Sequence, residues 1–407
     1  MSEGMTALHH AALSGFEDTV EALLDHDVNI NAWSETFGTP LCLASIKCRE
    51  NIVQMLLQHR AKADALGGCL GSALHAVCAS GDVKIAELLL QAGVEVNTRR
   101  SDRQTALLAA SSAGDAETVL MLVTAGVYLE ATDKFGGTAL SHAAYFGTVA
   151  TIPPLLDAGA NLNHQNIDGA SPAALAAQLG NMAALQLLRE RGALLEQKSR
   201  FGRTVLALAA EQGQLDAVLH LIEQKAKLDS PGIDGRTALS QTVRFNHVAV
   251  AEALLKAGAN IENQDEHGRT PLAAAAAAGA LQCVELLIDY RAALNTQDGY
   301  GATSLILAVE NGQPDIVGQL LRAAADVRAR DKFGRTALAY AARRGDIASL
   351  DKLLRYDSTV EISCNEGLTP LAYAVSFNHH HVVQRLLENG AQIWTGDGRG
   401  SSILDYA

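Results

Sequence analysis

The side chains of this 407-residue chain that could bind a metal or move a proton are thirteen histidines, six cysteines and forty-five carboxylates. His379-His380-His381 is the densest metal-like cluster. Successive residues on a helix point about 100° apart, so three in a row cannot converge on one tetrahedral ion. These histidines, and His9-His10 with them, are expected to serve structure. Cys42, Cys48, Cys69, Cys78, Cys283 and Cys364 form no CxxC pair, and no His or Cys stands beside them at zinc spacing. Cys42, Cys48, Cys69 and Cys78, which flank two short helices, read as small buried hydrophobes. Gly67-Gly68 and Gly136-Gly137 fall in turns, not in a phosphate-binding loop, and no GxSxG or HExxH pattern occurs. Asp133 and Asp331 recur at turns, where a carboxylate caps backbone N–H groups more readily than it works as an acid–base pair. The expectation is a protein that is not an enzyme, with no cofactor and no metal.

Bulk properties narrow the class. Apolar residues make up 48% of the chain but aromatics only 4%, which favours many thin helix contacts over one thick core. The net charge of −13 argues against nucleic acid and anionic membrane as partners. No uncharged apolar run is long enough to span a bilayer. The start, Met1-Ser2-Glu3-Gly4, lacks the pattern of a secretory leader. With scattered cysteines, this suggests a reducing compartment: cytoplasmic, with the nucleus as an alternative.

The elements that position these residues repeat every 33 residues. Thr or Ser falls at Thr6, Thr39, Ser72, Thr105, Thr138, Ser171, Thr204, Thr237, Thr270, Thr303, Thr336, Thr369 and Ser402 without an insertion. Pro40, Pro172, Pro271 and Pro370 follow the hydroxyl directly, as at the first turn of a capped helix. Nine residues after it stands Gly (Gly15, Gly147, Gly279) or Asn (Asn246, Asn378), with Cys48 as the exception; this is a left-handed helix stop. A second helix carries Val-x-x-Leu-Leu, as in Val20/Leu23/Leu24, Val53/Leu56/Leu57 and Val383/Leu386/Leu387. That spacing makes an apolar stripe that only a stacked neighbour can bury.

Thr6-Ala7-Leu8-His9, Gly15 and Leu155-Leu156-Asp157-Ala158-Gly159-Ala160 resemble the ankyrin repeat, and the likeness runs the length of the chain. The resemblance implies an all-α ankyrin-repeat solenoid of helix-turn-helix units with short β-hairpin-like turns. A single array over 1–407 is expected, with units starting near residues 1, 34, 67, 100, 133, 166, 199, 232, 265, 298, 331 and 364 and a partial unit from 397. Both ends cut through a repeat, so a longer parent chain is expected. The family's His survives only as His9 and His75; elsewhere it is Ser141, Ala174, Ala207, Ser240, Ala273, Ala339 or Ala372. The glycine of the turn shifts one place at Gly38 and Gly71. Pro153-Pro154 should make one second helix start late, and Arg189, in place of the second Leu, should extend its charge to solvent.

The resemblance also implies function: an interaction scaffold that binds a protein or peptide on its concave face, through turn tips and the end of each first helix. Those positions hold Lys134, Phe135, Tyr145 and Phe146; Arg200, Phe201 and Arg203; Arg236, Arg244 and Phe245; Arg269; Tyr300; Lys332, Phe333, Arg335, Arg343 and Arg344; and Phe377. Over all repeats they carry twelve Lys/Arg against nine Asp/Glu, opposite in sign to the chain. Arg beside Phe or Tyr is the composition of interface hot spots. The expected partner therefore has an acidic segment and apolar anchors, and the fold is not expected to need these side chains. The stretch around Ser72-Ala73-Leu74-His75 resembles long ankyrin arrays of filamentous-fungal proteins. That implies an alternative: the ligand-binding arm of a larger signalling protein of the NACHT type. The sequence fixes no oligomeric state.

Overall fold

The computed structural model describes residues 4–65 and 71–393. Cys69, the Gly67-Gly68 turn and Ser402 of the repeat pattern lie outside the described residues. Among the described residues the chain forms twenty-four α-helices and no strand. One antiparallel bridge joins Ser34 and Gly38, whose N–H and C=O groups pair at 2.9 and 2.8 Å. Two compact bodies result, Met1–Arg200 and Phe201–Ala407, each built from the same alternation of short and slightly longer helices.

Each repeat is assembled by local chemistry. The Thr or Ser hydroxyl caps the first helix: Thr138 accepts from the Ser141 N–H at 3.4 Å in one body, and Thr270 from Ala273 at 3.3 Å in the other. First helices such as Pro271–Ala278 are Ala-rich and largely buried, because small side chains let neighbouring helices approach. Second helices bury the predicted stripe: Val119 and Leu122 in the first body, Val218 and Leu221 in the second, are fully buried. Burial of each such side chain contributes about 1.5–3 kcal/mol.

Several sequence expectations change in detail. The second Leu of the stripe is only half-buried in most repeats, so Arg189 stands exposed at the end of Met182–Glu190 without needing to reach outward. Pro153-Pro154 does delay its helix: a 3-10 turn, Val149–Thr151, precedes a short helix, Ile152–Asp157, whose first turn has no N–H bonds for proline to break. Cys48 is exposed, not buried, because it occupies the left-handed stop at φ +52°, whereas Cys42, Cys78, Cys283 and Cys364 are buried. In His380–Glu388 the buried pair is Val382 and Leu386; Val383 and Leu387 lie on the side where no further described repeat stacks.

Turns are fastened in two ways. His9 accepts the Thr6 N–H at Nδ1 (3.1 Å) and places Nε2 on the Gly38 carbonyl at 3.0 Å, tying its own turn to the next. His75 does the same through Ser72 and the carbonyls of Thr98 and Gln104. Later repeats lack that histidine and use backbone instead. Ile167 N–H donates to Phe135 C=O at 3.0 Å and Arg200 to Asp168 at 2.8 Å in the first body. In the second body Ile233, Glu266, Gly299, Lys332 and Asn365 donate to Phe201, Asp234, His267, Tyr300 and Phe333. This approach needs bare backbone: a Cβ on Gly235 would lie 2.7 Å from the Glu266 nitrogen.

Candidate functional site

The turn that precedes each first helix is set by its opening acid or amide. Asp331 accepts N–H bonds from Phe333 (2.9 Å) and Arg335 (2.8 Å), an Arg335 Nε bond at 2.9 Å, and the Tyr340 hydroxyl at 2.9 Å. Asp133 holds Phe135 and Gly137, and Asp298 holds Tyr300 and Ala302, in the same manner. These carboxylates are turn caps. They hold the first of the two donors, Phe135, Tyr300 or Phe333, at the exposed tip.

In the first body Phe135 stands half exposed with Lys134 Nζ 4.9 Å from its ring centroid. Tyr145 and Phe146 pack edge to face at 5.0 Å at the end of Ala139–Phe146, and both are exposed. Below them runs a chain the sequence reading missed. The Asp133 carboxylate accepts from His142 Nε2 at 3.0 Å, and His142 Nδ1 meets Ser112 Oγ at 2.8 Å. Ser112 Oγ also lies 2.8 Å from the Leu108 carbonyl, one turn back in its own helix. The chain therefore fastens the tip to the preceding repeat. Arg200 is exposed at the end of this body.

In the second body the expected residues fall into two sets. Arg203, Arg236, Arg269 and Arg335 are not loose tip side chains; they form a half-buried ladder of ion pairs. Arg203 pairs with Glu211 and, at 3.8 Å, with Asp234. Arg236 bridges Asp234 (3.2 Å) and Asp265 (3.5 Å); Arg269 reaches Asp298 at 3.6 Å, and Arg335 holds Asp331 at 2.9 Å. The expectation that the fold does not need them fails here, because each guanidinium neutralises a carboxylate that caps a turn. Their positive charge is largely spent inside the array.

The second set remains outward. Phe201, Phe245, Tyr300, Phe333 and Phe377 are all about half exposed. Arg244 lies 5.7 Å over Phe245 and Arg343 lies 5.6 Å over Phe377. Partial burial lowers the Arg244 pKa, and the like charge of Arg236 adds to that. Arg344 donates to the Glu310 carbonyl at 2.7 Å, and Lys332 is exposed. Phe333, Arg335, Arg343 and Phe377 come together around a basin of about 340 Å3, floored by Tyr373 and Cys364.

His379 also belongs to this edge. Its ring stacks on Phe377 with centroids 6.4 Å apart, and its Nε2 lies 3.0 Å from the Arg343 carbonyl. His247 repeats the arrangement with Phe245 and the Glu211 carbonyl. The signal was visible as His at the start of two second helices, ten residues past the Thr. Among the described residues no three His, Cys, Asp or Glu side chains converge on a metal position.

A family model for ankyrin repeats matches residues 1–66, 68–133, 107–199, 140–231, 173–265, 206–298, 258–331 and 305–397. The chain belongs to the ankyrin-repeat family. Ankyrin repeats are in general protein–protein interaction modules, so this array belongs to a class whose repeats hold other proteins. A search among curated proteins gave no match. No helix among the described residues is long and apolar enough to cross a membrane.

Proposed function

We propose that this ankyrin array is an interaction scaffold whose concave, tip-bearing face binds a protein or peptide with acidic and apolar groups. One observation supports the reading above others: exposed aromatic rings that the core does not use, each with a cation against it, recur at turn tips and first-helix ends in both bodies, at Phe135 in the first and at Phe245, Phe333 and Phe377 in the second. Desolvated aromatic anchors beside a guanidinium are what strong interfaces use. Positive charge not committed to a carboxylate rests on Lys134, Arg200, Arg244, Lys332, Arg343 and Arg344, and it favours an acidic segment. The ladder arginines act instead by holding tips in place. We place the protein in a reducing intracellular compartment, a reading that its free buried thiols support.

A random Glu/Tyr copolymer is a suitable probe, with poly-Glu and poly-Lys as comparators, measured by fluorescence anisotropy. Phe333→Ala with Phe377→Ala should weaken copolymer binding about tenfold or more at any salt. Lys332→Glu with Arg343→Glu should weaken it most at low salt. Binding that survives both pairs unchanged, or a preference for poly-Lys, would remove the basis of the proposal.

A further inference from the structure

A cleft of about 370 Å3 opens on the opposite side of the second body, among the second helices Leu281–Asp289, Pro314–Arg322 and Ile347–Tyr356. It belongs to none of the residues discussed so far. Its cause is one residue. Gly318 stands fifteen places after its repeat's Thr, where other repeats carry longer side chains such as Gln54, Glu87, Gln186, Glu252, Glu285 and Gln384. Glycine in mid-helix costs stability relative to any of these, yet here it leaves open space lined by charge.

Three cations face that space. Lys352 lies across Gly318 and donates from Nζ to the Pro314 carbonyl at 2.7 Å, with Asp315 at 3.3 Å. Arg322 uses Nε on Gln319 Oε1 at 3.2 Å, and Gln319 is itself held by Glu285. Arg355 makes no side-chain hydrogen bond or ion pair among the described residues. Arg322 and Arg355 occupy the same register in successive repeats. At that register most other repeats have an acid or a neutral residue, such as Asp25, Thr124, Asp157, Glu190, Glu223 or Asp289, and Lys256 is the one other cation, so compensation of the helix dipole is not a general use of this position. With Asp315 as the one acid lining the cleft, three cations leave a surplus of two positive charges. Tyr356, exposed, and Leu281 supply an apolar wall.

We propose that this cleft binds a phosphate monoester: a compact dianion gripped by Arg322 and Arg355, with its organic group against Tyr356 and Leu281. Guanidinium forks suit tetrahedral oxyanions, and a dianion matches the surplus charge. The site is independent of the tip face and stands or falls without it.

The test is isothermal titration of the full chain with phenyl phosphate at fixed ionic strength, with inorganic phosphate and benzoate as comparators. We expect single-site binding at roughly millimolar affinity or tighter, with inorganic phosphate weaker and benzoate weaker still. Lowering the pH from 7.5 to 5 should weaken phenyl phosphate binding, because the ester's second pKa is about 6. Gly318→Gln is the decisive variant. A Cβ there would meet Lys352 at an ordinary 3.6 Å, so the side chain fits on the helix and fills the cleft. Its melting temperature should rise while binding falls at least tenfold. Arg355→Gln should lose about tenfold, and Lys256→Gln, at the Arg355 register in another repeat, should lose nothing. No saturable heat, or full binding by Gly318→Gln, would overturn the site. Benzoate binding as tightly as phenyl phosphate would overturn the dianion, and equal affinity for inorganic phosphate would overturn the ester.

Discussion

Glycine substitution at three strained positions gives a worked test of how the repeats are built. After each second helix the chain turns through a left-handed residue. Gly258 takes it at φ +93°, and a Cβ there would meet nothing within 4 Å. Lys225, Arg291 and Ala324 hold the same turn at φ +60°, +62° and +67° with exposed side chains. A non-glycine residue in this conformation costs about 1–2 kcal/mol. Glycine gives back roughly 0.5–1 kcal/mol through the greater freedom of the unfolded chain. The net gain is therefore about 0.5–1 kcal/mol per site. Because the three turns lie in separate repeats, Lys225→Gly, Arg291→Gly and Ala324→Gly together should add about 1.5–3 kcal/mol to the second body. Gly258→Ala, which meets no neighbour, should cost about 1 kcal/mol from strain alone. Urea titration followed by circular dichroism measures both the triple variant and Gly258→Ala. A triple variant no more stable than the parent, or a neutral Gly258→Ala, would refute the claim that backbone strain, and not side-chain contact, governs this position.

Three further outcomes follow from the same structure. Burial lowers the pKa of His9 and of His75 below the usual 6.5, so the unfolded chain binds more protons as the medium acidifies; the stability these rings contribute should be complete above pH 6.5 and fall below it, and His9→Ala with His75→Ala should flatten urea midpoints between pH 7.5 and 5.5. Asp331→Ala strands the Arg335 guanidinium and the Tyr340 hydroxyl, and should cost about 3–5 kcal/mol in denaturant titrations; burial and its bond to Asp331 also raise the Tyr340 pKa, and burial and its bond to Cys364 raise that of Tyr373, so absorbance titration of the parent should show two tyrosines that do not ionise with the exposed ones. Among the described cysteines, Cys48 should react with a thiol reagent at once; burial pushes Cys283 up to about 11 and raises Cys78 further, so both should react only on unfolding.

Most of the fold was legible in the sequence because one unit is written twelve times, and each Thr, Gly and Leu-Leu has a local physical reason to stand where it does. The N-caps at Thr138 and Thr270, the stops at Gly147 and Gly279 and the delayed helix at Pro153 all follow from single residues. What the register could not show was pairing across repeats. Arg203, Arg236 and Arg269 looked like tip residues by position; their carboxylate partners lie in the following turns, 29 to 31 residues on, which only packing brings near. The chain Asp133–His142–Ser112 was hidden for the same reason. Gly318 was readable in principle as the one small side chain at its register, but its meaning depends on Arg322 and Arg355 converging on one cleft. The aromatic tips were readable outright, since a ring at a turn tip has no core to enter.

The most direct test of the central claim is site-specific photo-crosslinking, with a benzophenone side chain placed at one position at a time and exposed to native lysate. The tip face is sampled at Phe135 and Phe377. Leu120 and Leu219, exposed on the second helices Ala116–Thr124 and Leu215–Glu223, sample the opposite side. One common crosslinked protein is expected from Phe135 and Phe377 and none from Leu120 or Leu219. Adducts from Leu120 and Leu219 alone would contradict it and move the partner to the second-helix surface.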